Sequence, residues 1–237
     1  MTDASGASGA FGVVTGAGGA LGRAVVAELV AARHRVVAVA RSGTDAAALA
    51  SSHPGLVTGE VADLADPDQV AALWKRLDER AAAPAFLVSV AGGYRGGTLV
   101  DSRPEDYRDM LAINLDTAWW SCREAARRMS AAGTGAIVNV AARTAVQGGT
   151  GSIAYAVAKA AVVKLTQVLA DELKDAGVRV NAVLPALIDT PDNAAAFSAE
   201  RMKKAVSPEA IARVIGYLCS ADAGPVTGAA IPVYGRF

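Results

Sequence analysis

Two apolar rhythms alternate along the chain. Short runs of apolar or small residues stand at Phe11-Gly12-Val13-Val14-Thr15, 35–40, 56–61, 86–90, 137–141, 178–184 and 229–233. Runs of this length, rich in Val and bounded by Gly, Pro or charge, predict buried β-strands. Between them, apolar positions recur at three and four. Val70, Leu73, Trp74 and Leu77 share one face, and Leu111, Leu115, Trp119, Cys122, Ala126 and Met129 form a stripe over 105–132. Val162, Leu165, Val168, Leu169 and Leu173 do the same over 154–176. That spacing predicts helices with one face toward a core. Helices are also expected over 23–32, after Asp66-Pro67, and after Ser207-Pro208, where Ser caps and Pro takes the first position.

Strands alternating with helices predict the α/β class. The expected architecture is a Rossmann-type doubly wound parallel sheet of seven strands, forming a single domain over 11–237. Residues 1–10, rich in Ser, Gly and Ala, read as a flexible N-terminal arm. The Ala- and charge-rich segment 192–206 reads as a mobile substrate lid or a short helix over the site. Trp119 and Trp120 read as packing or interface residues.

Composition narrows the function classes. Of 237 residues, 52% are hydrophobic and 19% charged, which is enough to bury a large core. The formal net charge is zero and no basic stripe is present, so nucleic acid is not an expected partner. No apolar run flanked by basic residues stands at the N-terminus, and no 18-residue apolar segment was expected. The reading is a soluble, cytoplasmic protein without a membrane partner. Cys122 and Cys219 lie far apart in helical patterns and read as buried thiols in a reducing compartment. His34 and His53 stand in loop or surface contexts, and no His/Cys/Asp cluster has ligand spacing, so no metal is expected.

Candidate chemistry begins directly after the first strand, at Gly16-Ala17-Gly18-Gly19-Ala20-Leu21-Gly22. Glycines let backbone approach a pyrophosphate, and a helix N-terminus supplies N–H groups and partial positive charge. At the end of the second strand an acid would bind the ribose 2′-OH of NAD. Here Ala40 and Arg41 stand instead. A guanidinium suits a 2′-phosphate, so NADP(H) is the preferred cofactor, with NAD(H) possible. Asp63 and Leu64 are placed to flank an adenine ring. Ala91, Gly92 and Gly93, followed by Tyr94, leave room at a strand's carboxyl end. Tyr155 and Lys159 stand four apart on one helix face. An ammonium beside a phenol favours the phenolate and lowers the Tyr pKa toward working pH, which suits a general acid. A Tyr-x-x-x-Lys pair alone is weak evidence, because surface contacts of that kind are common. Asn114 is a polar residue within an apolar helix, either a satisfied core amide or the holder of a water near Lys159.

These pieces stand in an order that resembles the short-chain dehydrogenase/reductase family over nearly the full chain. They are Thr15-Gly16-x-x-x-Ala20-x-Gly22, Asp63-Leu64, Ala91-Gly92, Asn114, Tyr155-x-x-x-Lys159, and Pro185 with Thr190. The departures are informative. Ala20 replaces the usual middle Gly, and Ser89-Val90 replaces Asn-Asn. Ala142 stands thirteen residues before Tyr155, where the family has its substrate-orienting Ser. Within the family these departures resemble the quinonoid dihydropteridine reductase subgroup. So do Val90 to Tyr94, Gly149-Thr150, and Leu184-Pro185 with Asp189-Thr190-Pro191-Asp192-Asn193.

The resemblance implies hydride transfer from NAD(P)H to a conjugated C=N or quinonoid carbon, with Tyr155 as proton donor. Lys159 would bind the nicotinamide ribose hydroxyls, Asn114 would hold a relay water, and Ile188 and Thr190 would meet the carboxamide. Tyr94, Ala142, Thr144, Gln147 and Tyr155 would face the substrate. Thr144, Gln147 or Ser152 could replace the absent Ser hydroxyl. Three alternatives stay open: a carbonyl reductase or alcohol dehydrogenase, a weak or inactive reductase, and a non-catalytic NADP-binding sensor or scaffold. The resemblance also implies a homodimer or homotetramer paired through helices 105–132 and 154–176.

Overall fold

A computed structural model of the chain describes residues 10–79 and 82–237. The arm expected over 1–10 therefore lies, apart from Ala10, outside the described residues. The strands are β1 (Phe11–Thr15), β2 (Val36–Ala40), β3 (Val57–Val61), β4 (Pro84–Ser89), β5 (Gly135–Val140), β6 (Val178–Pro185) and β7 (Ala230–Val233). Among the described residues they form one parallel seven-stranded sheet in the order β3-β2-β1-β4-β5-β6-β7. Every residue of β1 and β2 is buried. Their unbroken apolar runs, without alternation, fit strands covered by helices on both faces. The order reverses between β1 and β4, and such a switch point opens a crevice at the strands' carboxyl ends.

Helices α1 (Ala20–Ala31), α2 (Gly43–Ser52), α3 (Pro67–Asp78), α4 (Pro104–Leu111), α5 (Thr117–Ala132), α6 (Ile153–Leu173), α7 (Pro191–Ala196), α8 (Ala199–Met202) and α9 (Pro208–Cys219) complete the fold. On one face of the sheet, Leu21, Val25 and Leu29 of α1 meet the core formed with Ile211, Ile215 and Leu218 of α9. On the other, Val70, Trp74 and Leu77 of α3 pack with Cys122 and Met129 of α5. Local chemistry sets the helix starts. Asp66 accepts from Asp68 N (2.9 Å) and Gln69 N (3.3 Å) ahead of Pro67. Ser207 accepts from Ala210 N (3.2 Å) ahead of Pro208.

Three sequence expectations change, and one is made specific. Helix α2 was not expected, because its Ala/Ser-rich stretch buries only Ala46 and Leu49 and gives almost no periodic signal. The helix expected over 105–132 is α4 and α5 joined by a π-helical segment, Ala112–Asp116. The segment 192–206, read as a lid or a short helix, holds α8 and all but the first residue of α7. Backbone hydrogen bonds from Asp189 to Val206 (2.8 Å) and from Val206 to Leu187 (2.9 Å) tie its base. Finally, Ile153–Ala176 is a 24-residue stretch with a hydropathy of 1.5, long and apolar enough to cross a membrane. One face of it is packed, with Val162 and Val163 against Ala141, Ala182 and Leu184 of the sheet region, while Ile153, Val157 and Val168 are exposed.

Candidate active site

The Gly-rich turn is shaped by what a side chain would hit. Gly16 has φ +63°, and a Cβ there would meet backbone atoms of Ala91 at 2.7 Å. A Cβ on Gly22 would lie 2.2 Å from Gly16 O. The first turn of α1 can therefore pack directly on the loop, with Ala20 and buried Leu21 beginning the helix. Thr15 Oγ1 accepts from Val90 N (3.2 Å) and Ala91 N (3.3 Å), joining the ends of β1 and β4. The sequence reading quoted Thr15 without giving it this role. A buried polar residue at a strand's end was the available signal.

Every residue singled out from sequence for catalysis, cofactor or substrate lines one cavity of about 1150 Å³ at the carboxyl ends of the strands. That volume exceeds the ~300–1,000 Å³ usual for one small ligand. Glycine-shaped backbone, a helix N-terminus and this volume fit an extended dinucleotide with a substrate beside it. Arg41, Asp63 and Leu64 lie toward the Gly-rich end. Asp63 Oδ1 accepts from Ala65 N (3.0 Å). The sequence missed further lining residues, Asp45, Arg143 and Phe237, and gave Phe197 and Arg201 only as part of the segment 192–206. None carries a motif, and chain folding alone brings them to the wall.

The reactive pair sits in the first two turns of α6. Lys159 is only 4% exposed; its Nζ donates to Val140 O at 2.8 Å and lies 6.0 Å from the Tyr155 ring centroid. Tyr155 meets Tyr94 edge to face at 5.1 Å. Burial pushes the Tyr155 phenol up to about 12, with Tyr94 adding to the rise. Burial pulls the Lys159 ammonium down to about 8. This corrects the expectation that Lys159 depresses the Tyr155 pKa. Loss of hydration outweighs an ammonium 6.0 Å from the ring centre that is held by a backbone carbonyl. Tyr155 is therefore a protonated phenol across the neutral range, suited to donating a proton.

Asn114 is 1% exposed. Its Oδ1 accepts from Gly93 N (3.2 Å), and its Nδ2 donates to Gly93 O (2.9 Å) and Met110 O (3.1 Å). Those bonds use both Nδ2 hydrogens and one of the two Oδ1 lone pairs, so the amide fixes the 92–94 turn, as the satisfied-amide reading expects. A Cβ on Gly92 would stand 2.7 Å from Asn114 Oδ1 and 3.1 Å from Lys159 Nζ, so glycine is what lets the turn pass between them.

At the substrate end, Ala142 is extended (φ −158°) just beyond β5 and presents a methyl group where a hydroxyl would be useful. Two residues on, Thr144 Oγ1 is buried without a hydrogen-bond partner. Gln147 Oε1 accepts from Arg143 Nε at 2.7 Å, and Ser152 is 8% exposed. Thr190 Oγ1 accepts from Asn193 N (3.2 Å), while Asn193 Nδ2 donates to Ile188 O (2.8 Å). Both Ile188 and Thr190 are thereby fixed at the base of α7. Among the described residues no group of three His, Cys, Asp or Glu side chains could hold a metal ion.

Comparison with known proteins agrees with this geometry. A sequence model of the family described as short chain dehydrogenase matches residues 11–201. The (3R)-3-hydroxyacyl-CoA dehydrogenase of Mus musculus is 34% identical, over 95% of each chain. The 3-oxoacyl-acyl-carrier-protein reductase of Pseudomonas aeruginosa is 30% identical, over 96% of each. Among solved structures, a gluconate 5-dehydrogenase from Burkholderia cenocepacia in complex with NADP and tartrate superposes with a TM-score of 0.90. It is 27% identical, with 96% of this chain and 94% of that one covered.

Proposed function

The chain belongs to the short-chain dehydrogenase/reductase family and is an NAD(P)-dependent oxidoreductase; on that premise we propose that it reduces a conjugated C=N or quinonoid substrate, in the manner of the dihydropteridine reductases, with NADP(H) preferred and NAD(H) possible. Ala142 carries this reading. A ketone oxygen gains charge as hydride arrives and benefits from two donors, and loss of one such donor costs on the order of 100-fold or more. A quinonoid or iminium substrate spreads that charge and needs the second donor less. Arg41, at the end of β2 on the cavity wall, supports NADP(H). The NADP bound to the gluconate 5-dehydrogenase is consistent with that preference.

The bound dinucleotide would supply the hydride. Gly16, Gly18 and the N-terminus of α1 would hold its phosphates, and Asp63 and Leu64 its adenine. Ala91, Gly92, Gly93, Pro185, Ile188 and Thr190 would line its nicotinamide half. Lys159 would bind ribose hydroxyls, and Tyr155 would donate the proton. Asn114 would hold the turn that separates Lys159 from Tyr94. Tyr94, Thr144 and Gln147 would contact the substrate under the segment 192–206.

Thr144 favours a second reading, a ketone or secondary alcohol as substrate. Its buried, unpartnered hydroxyl could supply the donor that Ala142 lacks, and the two relatives are named for hydroxyacyl and oxoacyl substrates. Turnover of quinonoid 6,7-dimethyldihydropterin against a panel of ketones separates the readings. The first expects pterin turnover that Thr144→Val leaves within about threefold. The second expects ketone turnover that Thr144→Val lowers by about 100-fold.

For assembly, the proposal is a cytoplasmic homodimer or homotetramer paired through α4–α5 and α6. Trp119 (48% exposed), Val157 (48%) and Val168 (43%) on those helices support it. Sedimentation of the wild-type chain and of Trp119→Glu tests the pairing.

A further inference from the structure

We infer that Asp45 is a specificity residue that restrains recognition of a 2′-phosphate at the Gly-rich end of the cavity. The inference rests on reading that end as the adenosine side of a nicotinamide dinucleotide site.

Asp45 lines the cavity together with Gly18 and Arg41. It packs so closely on the turn that a Cβ on Gly18 would meet Asp45 Cβ and Cγ at 3.1 Å. Besides backbone N–H groups, the side chains of Arg23, Arg41 and Ser42 near this turn can donate to a phosphate. Asp45 occupies two of them. Arg23 Nη2 pairs with Asp45 Oδ1 at 2.6 Å, while Arg23 Nε donates to Gly18 O at 2.9 Å. Ser42 Oγ donates to Asp45 Oδ2 at 2.7 Å and accepts from Asp45 N at 3.1 Å, capping α2. Arg41 has no ion pair among the described residues. A phosphate monoester arriving here, with a charge of roughly −1.5 to −2, therefore meets one uncommitted cation, Arg41, and a second, Arg23, whose charge is offset by the Asp45 carboxylate. An unphosphorylated ribose loses nothing by that offset. Asp45 thus narrows the advantage that Arg41 gives to NADP(H).

The simpler role for Asp45 is an acid in the first turn of α2, which stabilises the helix through its dipole. That role would alter thermal stability without separating the two cofactors. The experiment measures dissociation constants of the full-length chain for NADPH and NADH, with adenosine 2′,5′-bisphosphate and 5′-AMP as probes. The variants are Asp45→Asn, Asp45→Ser, Arg23→Gln and the Asp45→Asn/Arg23→Gln double variant. Removing the charge should raise NADPH affinity relative to NADH by about tenfold, and less at high salt. Arg23→Gln alone should weaken NADPH, because it leaves Asp45 uncompensated. In the Arg23→Gln background the gain from Asp45→Asn should shrink, because the released guanidinium is missing. The proposal falls if both Asp45 variants shift NADPH and NADH equally, or if they weaken NADPH. A wild-type chain that binds neither dinucleotide would overturn the cofactor reading itself. Binding of both with an unmoved ratio would overturn only the role of Asp45.

Discussion

At its dinucleotide end the cavity wall is mostly backbone. Gly16 touches Ala91, Gly22 sits on Gly16, and Thr15 ties β1 to β4, all at the carboxyl ends of central buried strands. At its substrate end the wall is side chains carried on short elements. Helix α7 has six residues and α8 has four, neither with a buried residue. Phe197 and Arg201 face each other there at 4.5 Å. The first region tolerates one geometry, because close backbone approach leaves no slack. The second can change its residues without disturbing the sheet. Tyr155 and Lys159 stand between them, on a helix rooted in the core.

The largest expected effect lies at that junction. Tyr155→Phe should lower kcat by roughly 10²–10⁴ while leaving dinucleotide affinity within a few-fold. Full activity in that variant would remove the proton-donor role. Next comes the dinucleotide end. Gly22→Ala should cost about 1–3 kcal/mol by overpacking against Gly16 and abolish most dinucleotide binding. Gly149→Ala, on the substrate side with nothing within 4 Å, should stay within about 0.5 kcal/mol. Equal melting temperatures for these two variants would erase the contrast between the ends.

The pH profile offers a third test. Lys159 in the free protein loses its proton near 8 while Tyr155 keeps its own to about 12. kcat/KM for reduction reports the free protein. It should therefore hold below pH 8 and fall above it, as the ammonium that would hold the ribose is lost. Lys159→Arg should move that fall out of range. A profile flat from pH 6 to 10 in the wild type would contradict it. The smallest effect is expected in the segment 192–206. Phe197→Ala should raise KM for the substrate a few-fold and leave the dinucleotide constants unchanged. A matching change in NADPH binding would mean that the two ends are coupled.

The same contrast explains what could be read from sequence. Gly16, Gly22, Ala91 and Gly92 were legible because only small residues satisfy their geometry, and strand runs such as Val13-Val14 were legible because both faces are buried. Asp45, Arg143 and Phe237 were not, because nothing local marks a residue that reaches the site from a helix start or the chain end. Helix α2 escaped because a Ser-capped Ala-rich stretch carries little hydrophobic period. The Tyr155 phenol was misjudged because spacing reports the nearness of Lys159 but not the loss of water around both groups.

The π-helical segment around Asn114 has one more consequence. An α-helix turns about 100° per residue, whereas a π-segment, with its i→i+5 bonds, takes up one extra residue in a turn. Ala112–Asp116 thus acts as a phase shifter between α4 and α5. It sets the angle at which Ile113 and Asn114 meet the 92–94 turn, independently of how α5 is keyed to the sheet by Cys122 and Met129. Deleting one residue there would leave a longer, more regular helix with every apolar position of α4 turned away by about a quarter of a revolution.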